Sequence, residues 1–323
     1  MRPLNDTIAH CAVRIACLFL PRRKRREVRT WYKWNYCGIN TEWADAVRKK
    51  ARSVKLVMGR IQTLALGSSH GEAGFVPDES SFNLCGASQD LYTSASMYRQ
   101  CAGFPNLKTV ILFYSVFSSG SELEKTGERE RCVYYKHLWG VPYRYYDEAS
   151  WANKEESFLQ WDRSCEFKPD MGYRGLCDYS TFPMMSTSVE ERVASHLKNN
   201  RRNNGQVAYV ESMIDLADKS GHRFVVVIPP CRNDYTRLCP PYKELFAELL
   251  AVLERHSNVS LLSLWGDQSF ADSDFGDTDH LNLVGARKLT SKINASLSMH
   301  AHHLPADGNG NSEEIEKNGK GLQ

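Results

Sequence analysis

The sequence predicts an α/β domain with three α/β/α layers around a mainly parallel five-stranded sheet, plus a helical insertion. Three observations predict it. Short apolar runs rich in β-branched and aromatic residues recur along the chain. Amphipathic stretches of helical period alternate with them. The alternation stops once, over residues 118–205, where aromatics are dense and strand signals few. Alternating strands and helices imply parallel strands with helices covering both faces. The 323 residues suffice for one such domain with an insertion.

The strands come in order. Gln62–Gly67 is a short apolar run ending in Gly, and Ser81–Cys85 is a second candidate. Lys108–Tyr114 (KTVILFY) has the composition of a buried strand. Arg223–Ile228 (RFVVVI) is another, stopped by Pro229 and Pro230, and Val259–Leu264 is the last. Helices are expected over 89–103, 206–218, 242–256 and 284–297. Residues 118–205 carry Tyr134, Tyr135, Trp139, Tyr143, Tyr145, Tyr146, Trp151 and Trp161. A stretch of this length is not plain loop. It reads either as a lid over the active-site face or as an accessory packing layer. The domain proper spans 61–299. Residues 300–323 are polar, rich in Gly and Asn, and expected to be disordered.

Residues 1–60 are basic and Trp-rich. Residues 8–20 have the pattern of a short amphipathic helix running into the cluster Arg22–Arg26. One reading is contact with the anionic inner face of a membrane; the other is a solvated basic face on a packed helix. The apolar run from Cys11 to Leu20 is interrupted by Arg14, which makes a poor secretory signal and is too short to span a bilayer. A cytoplasmic location, with peripheral membrane contact as the variant, is therefore expected. The ten cysteines form no C-x-x-C pair and none has zinc-finger spacing to a His, so they read as reduced thiols rather than metal ligands. A net charge of +3 gives no case for nucleic acid.

Two motifs carry chemistry. Gly67-Ser68-Ser69-His70-Gly71 follows the first strand. In an open parallel sheet ligands bind beyond the carboxyl ends of strands, so a serine there is reachable by substrate. Glycines on both sides allow a tight turn, and a helix start would aim backbone N–H groups at a developing anion. The second motif, Asp277-Thr278-Asp279-His280, precedes the last helix. A hydroxyl needs a base, and the base an orienting carboxylate. Asp277 lies three residues before His280, so one turn of chain brings the two together; Asp279 is a rival for the same role. His70 reads either as a substrate or lid contact or as a helix cap.

These residues resemble the SGNH or GDSL hydrolases. Gly67-Ser68-Ser69 is similar to the family's Gly-Asp-Ser block, with Ser68 where Asp is usual. Phe82-Asn83-Leu84-Cys85-Gly86 is similar to its second block, and Asp277 to His280 to its closing Asp-x-x-His. The resemblance covers roughly 62–117 and 206–298. It implies an SGNH/flavodoxin-like sheet, Ser69 as nucleophile, His280 as base, Asp277 as its orienter, and Gly86 as an oxyanion donor. The third block departs: Phe113-Tyr114-Ser115 stands where the family has Gly-x-Asn-Asp, leaving the Ser115 hydroxyl as the substitute donor. Gly-Ser-Ser-His, Ile228-Pro229-Pro230 and Ser88–Tyr92 look like the branch containing D-alanine transfer proteins and uncharacterised proteins of bacterial surface-polysaccharide clusters. The resemblance thus implies an esterase or O-acyltransferase, with an acyl donor and a carbohydrate or polyol acceptor as partners. It implies no metal and no nucleotide cofactor. The alternative is an inactive domain of this fold that binds a glycan or a partner in polysaccharide assembly.

Overall fold

The apolar runs become five strands: β1 (Thr63–Gly67), β2 (Ser81–Asn83), β3 (Thr109–Phe113), β4 (Arg223–Ile228) and β5 (Val259–Ser263). All pair in parallel, in the order β2-β1-β3-β4-β5. The computed structural model describes residues 38–180, 188–200 and 205–301, with 20, 21, 24, 25 and 28. Most of the expected helix over 8–20, Arg22, Arg23 and Arg26 of the basic cluster, and the tail from 302 lie outside the described residues. No helix among the described residues is long and apolar enough to cross a membrane.

The pleat sorts each strand between two cores. Leu64, Leu66, Val110, Leu112, Phe224, Val226 and Ile228 join the larger cluster on one face of the sheet. Ala65, Ile111, Phe113, Val225 and Val227 join the smaller cluster on the other. A sheet buried on both faces needs apolar residues at successive positions, which is why β3 and β4 read as continuous apolar runs.

The smaller core is covered by α11 (Leu283–Ala301) through Leu289 and Ile293. The larger core takes α1 (Thr41–Val57), α3 (Leu91–Cys101), α4 (Arg131–Trp139), α5 (Ala152–Ser164), α6 (Val189–Asn200), α7 (Ala208–Lys219), α8 (Asn233–Arg237), α9 (Tyr242–Leu245) and α10 (Ala247–Leu253). Helix α1 lies within the segment read as 1–60. Asn40 caps it by accepting the Trp43 N–H at 3.1 Å, and its Ala44, Val47, Ala51 and Val54 are core residues packed beside α4.

The helix expected over 242–256 is divided at Phe246, whose backbone leaves helical geometry (φ −113°, ψ 19°). Its buried ring packs near Tyr114 and Trp265, at centroid distances of 6.3 and 5.5 Å. The second strand is regular only to Asn83, although main-chain bonds to β1 continue from Leu84 and Gly86, and the fully buried Asn83 side chain ties this end to the turn after β1. Its Nδ2 donates to the carbonyls of Gly71 and Phe75, both at 2.9 Å, and its Oδ1 accepts the Cys85 N–H at 3.0 Å.

Candidate active site

The carboxyl ends of β1 and β3 carry the site. Gly67 ends β1 with φ +131°, and a Cβ there would stand 2.5 Å from the Phe113 carbonyl oxygen. Only glycine lets the chain turn this tightly against β3. Ser68 then stands at the N-cap position of the single turn α2 (Ser69–Glu72), which opens on Ser69, without a side-chain capping bond. Glu72, at its end, is held by Lys50 Nζ at 2.8 Å; the same ammonium donates to the Cys85 carbonyl. With Asn83, this ties α2 to the chain after β2.

Opposite lies the segment before α11. The Phe275–Leu281 antiparallel bridge and the Gly276 N–H to His280 carbonyl bond (2.9 Å) close it into a tight loop. Asp277 Oδ1 accepts the N–H groups of Asp279 (2.9 Å) and His280 (2.7 Å). Asp277 Oδ2 lies 2.8 Å from His280 Nδ1, and His280 Nε2 lies 2.8 Å from Ser69 Oγ. A carboxylate only accepts, so Nδ1 carries the proton and Nε2 presents a lone pair to the serine hydroxyl. Burial opposes charging His280, but the Asp279 and Asp277 carboxylates outweigh it and raise its pKa above the usual histidine value. Burial pushes the Asp277 carboxyl up, yet its bond to His280 leaves it below the usual range.

A second chain of hydrogen bonds runs behind the first. His70 Nε2 lies 3.0 Å from Asp279 Oδ2, and His70 Nδ1 lies 2.9 Å from Ser115 Oγ. Ser115 Oγ lies 2.9 Å from Ser68 Oγ. The imidazole rings of His70 and His280 stack, with centroids 4.8 Å apart and planes at 25°. Burial lowers the pKa of His70, so the ring is neutral near pH 7. The proton order follows by elimination. His70 Nε2–H donates to Asp279, Nδ1 accepts from Ser115, and Ser115 accepts from Ser68.

Asp279 is 1% exposed. Arg192, from α6, grips it with Nε at 3.0 Å from Oδ1 and Nη2 at 2.9 Å from Oδ2. The Thr278 hydroxyl adds a bond of 2.8 Å to Oδ1. Burial pushes the Asp279 carboxyl up, but His280, His70 and Arg192 together hold it well below the usual range. His196, one turn after Arg192, lies 2.6 Å from the Tyr235 hydroxyl, and burial drives its pKa down to about 3.

The structure thus joins Ser69, His280 and Asp277 in one chain. It sets Asp279, the rival, against His70 and Arg192 instead. His70 is 4% exposed and bridges Ser115 to Asp279, and its ring lies 6.2 Å from that of His196 in the insertion. The two expected oxyanion donors are otherwise engaged. The Gly86 N–H donates to the Gly67 carbonyl at 3.0 Å, continuing the pairing of β2 with β1 that the Leu84 N–H to Ala65 carbonyl bond (2.8 Å) also extends. The Ser115 hydroxyl proton is directed at His70. The backbone N–H of Ser69, in the first turn of α2, has no intrahelical acceptor.

Among the described residues, His70, Asp279 and His280 have metal-ligand spacing, with candidate ligand atoms within 4.8 Å of one another. Both nitrogens of each imidazole already make hydrogen bonds within the site. Sequence reasoning missed Arg192 and His196. The signal was present: Ser188-Val189-Glu190-Glu191 has capping-box spacing, and the Ser188 hydroxyl does accept the Glu191 N–H at 3.2 Å. Val189, Val193 and Leu197 then follow at helical period, putting Arg192 and His196 on one face four residues apart.

No family model matches the sequence, and no curated protein matches it. Among solved structures, the chain is similar to a Streptococcus pneumonia protein described as a candidate platelet activating factor. The two are 10% identical over 84% of this chain and 98% of that one, with a TM-score of 0.44.

Proposed function

We propose that this chain is a serine-dependent acyl-ester hydrolase or acyltransferase, with Ser69 as nucleophile, His280 as general base and Asp277 as its orienter. The observation that carries the reading is the unbroken chain Asp277–His280–Ser69, with both links at 2.8 Å. Serine is inert near neutral pH without such a base.

His280 Nε2 takes the Ser69 proton as Oγ attacks an ester carbonyl, and the Asp277 carboxylate stabilises the imidazolium that forms. The oxyanion lies at the start of α2, where the Ser69 N–H donates. Collapse breaks the ester bond, and His280 returns the proton to the departing alkoxide. The acyl-serine then passes to water, giving an esterase, or to a carbohydrate or polyol hydroxyl, giving an O-acyltransferase. General base catalysis of this kind contributes about 10²–10⁴-fold. Each missing oxyanion donor costs about 10²–10³-fold. With Gly86 and Ser115 engaged elsewhere, a modest rate is expected unless substrate binding rearranges the loop after β2.

The resemblance to SGNH proteins of surface-polysaccharide clusters supports a bacterial surface carbohydrate, or its precursor, as acceptor. Contact of Arg22–Arg26 with an anionic bilayer belongs to the same reading. The engaged donors favour a second reading, a glycan-binding domain that kept the fold without turnover. Labelling with a fluorophosphonate probe decides between them. Wild-type labelling that disappears in Ser69→Ala and His280→Ala supports the enzyme. Failure of folded wild-type protein to label, with small as well as large probes, supports the binding domain.

A further inference from the structure

The site holds more charge than a serine–histidine–aspartate chain needs. Two buried carboxylates, Asp277 and Asp279, lie 2.8 and 4.0 Å from His280 Nδ1. The second makes no hydrogen bond to that nitrogen, which Asp277 already holds. Left alone, it would draw a proton onto His280 and remove the lone pair that the serine needs. The groups around the His280–Asp279 pair are Ser69 and His70 from α2, Asp277 and Thr278 from the same loop, Arg192 and His196 from α6, and the buried Cys231 and Tyr235 from the segment after β4. Among these described neighbours the fixed positive charge is Arg192. Arg232, whose N–H donates to the Thr278 carbonyl at 3.3 Å, turns its guanidinium to Asp234 at 2.6 Å.

We infer that Arg192 is a positioning residue of this site: by gripping both oxygens of Asp279 it offsets part of the pull that this second carboxylate exerts on the His280 proton. The inference deepens the proposed function and rests on it for its catalytic consequence. The two-point grip matters. A planar guanidinium matches a carboxylate edge to edge and fixes its orientation, as a point charge does not. That orientation turns Asp279 Oδ2 toward His70 Nε2, which in turn sets the ring stacked on His280. Because Arg192 comes from the insertion, residues outside the sheet-and-helix repeat set the state of the base.

The test reads His280 directly, by NMR titration of ¹⁵N-histidine-labelled protein, beside the pH dependence of fluorophosphonate labelling. In Arg192→Gln both midpoints should rise by about one pH unit, since a carboxylate within this distance shifts a neighbour by that order. Arg192→Lys keeps the charge and should lie nearer wild type, with slower labelling from the lost two-point grip. Asp279→Asn should move the His280 midpoint down. A folded Arg192→Gln protein whose His280 titrates with wild type overturns the inference. So does an upward shift in Asp279→Asn, which still decides the matter if Arg192→Gln does not fold. Wild-type protein that never labels would count against the proposed function, and the NMR midpoints would still decide the role of Arg192.

Discussion

Two serine–histidine–aspartate chains lie side by side in this molecule, and they differ in nearly everything but composition. Ser69–His280–Asp277 ends on a half-buried hydroxyl at the head of α2. Ser115–His70–Asp279 ends on Ser68, with all four residues buried. In the first, the carboxylates raise the proton affinity of the histidine. In the second, burial lowers it, and Arg192 takes up the charge of the carboxylate. Residue types alone therefore make no nucleophile. A serine becomes one when its oxygen is reachable and its histidine keeps a lone pair turned toward it.

The largest expected effect breaks the first chain. Ser69→Ala or His280→Ala should lower turnover of a model ester by about 10⁴-fold or more, with little change in melting temperature for Ser69→Ala, whose hydroxyl is partly exposed. Asp277→Asn should cost about 10⁴-fold, because an amide donor can hold His280 in the wrong tautomer. Steady-state kinetics on the three variants would check both.

Breaking the second chain should do the reverse. Ser115→Ala leaves His70 Nδ1 and Ser68 without their buried partner and should cost about 1–3 kcal/mol of stability in denaturant unfolding, while activity falls by less than about tenfold. A large loss of activity without loss of stability would make the second chain chemical rather than structural.

The smallest effect concerns pH, and its two parts have opposite signs. As the proposed base, His280 must be neutral for turnover, so the rate should climb through a midpoint above 6.5, the ordinary histidine value. The raised affinity of His280 for a proton in the folded state stabilises the fold fully below its unfolded value and is lost as pH rises through the folded one. Rate should therefore increase over the window in which this contribution to stability declines. Unfolding and rate profiles measured in the same buffers would show whether the two cross.

Much of this was legible in the sequence, for identifiable reasons. Strands buried on both faces must be apolar throughout, so RFVVVI announced β4 to the residue. The three-residue spacing of Asp277 and His280 makes their pairing a local matter. The helix carrying Arg192 was legible, but its pairing with Asp279 was not, because the partner lies 87 residues away and the meeting depends on how the insertion packs. The Gly86 N–H, expected at the oxyanion, turns instead to the Gly67 carbonyl for a different reason. Where a main-chain donor points follows from strand register, which side-chain identity does not encode there. Asn83 illustrates the same limit: its residue type suits a turn, but its hold on Gly71 and Phe75 appears only when β2 lies beside β1. Asn83→Ala should leave those groups short of partners and loosen the nucleophile turn, by about 1–3 kcal/mol in unfolding experiments.

Ser69 and His280 stand 211 residues apart in the chain. A ribosome adding about 5–20 residues each second makes the serine roughly 10–40 seconds before its base. For that interval α2 has its hydroxyl but no base to activate it, and Asp277 and Asp279 have not been translated. On the proposed mechanism, the nascent chain is thus silent toward acyl esters until α11 leaves the exit tunnel, and the order of synthesis protects it much as a removable pro-segment protects a protease.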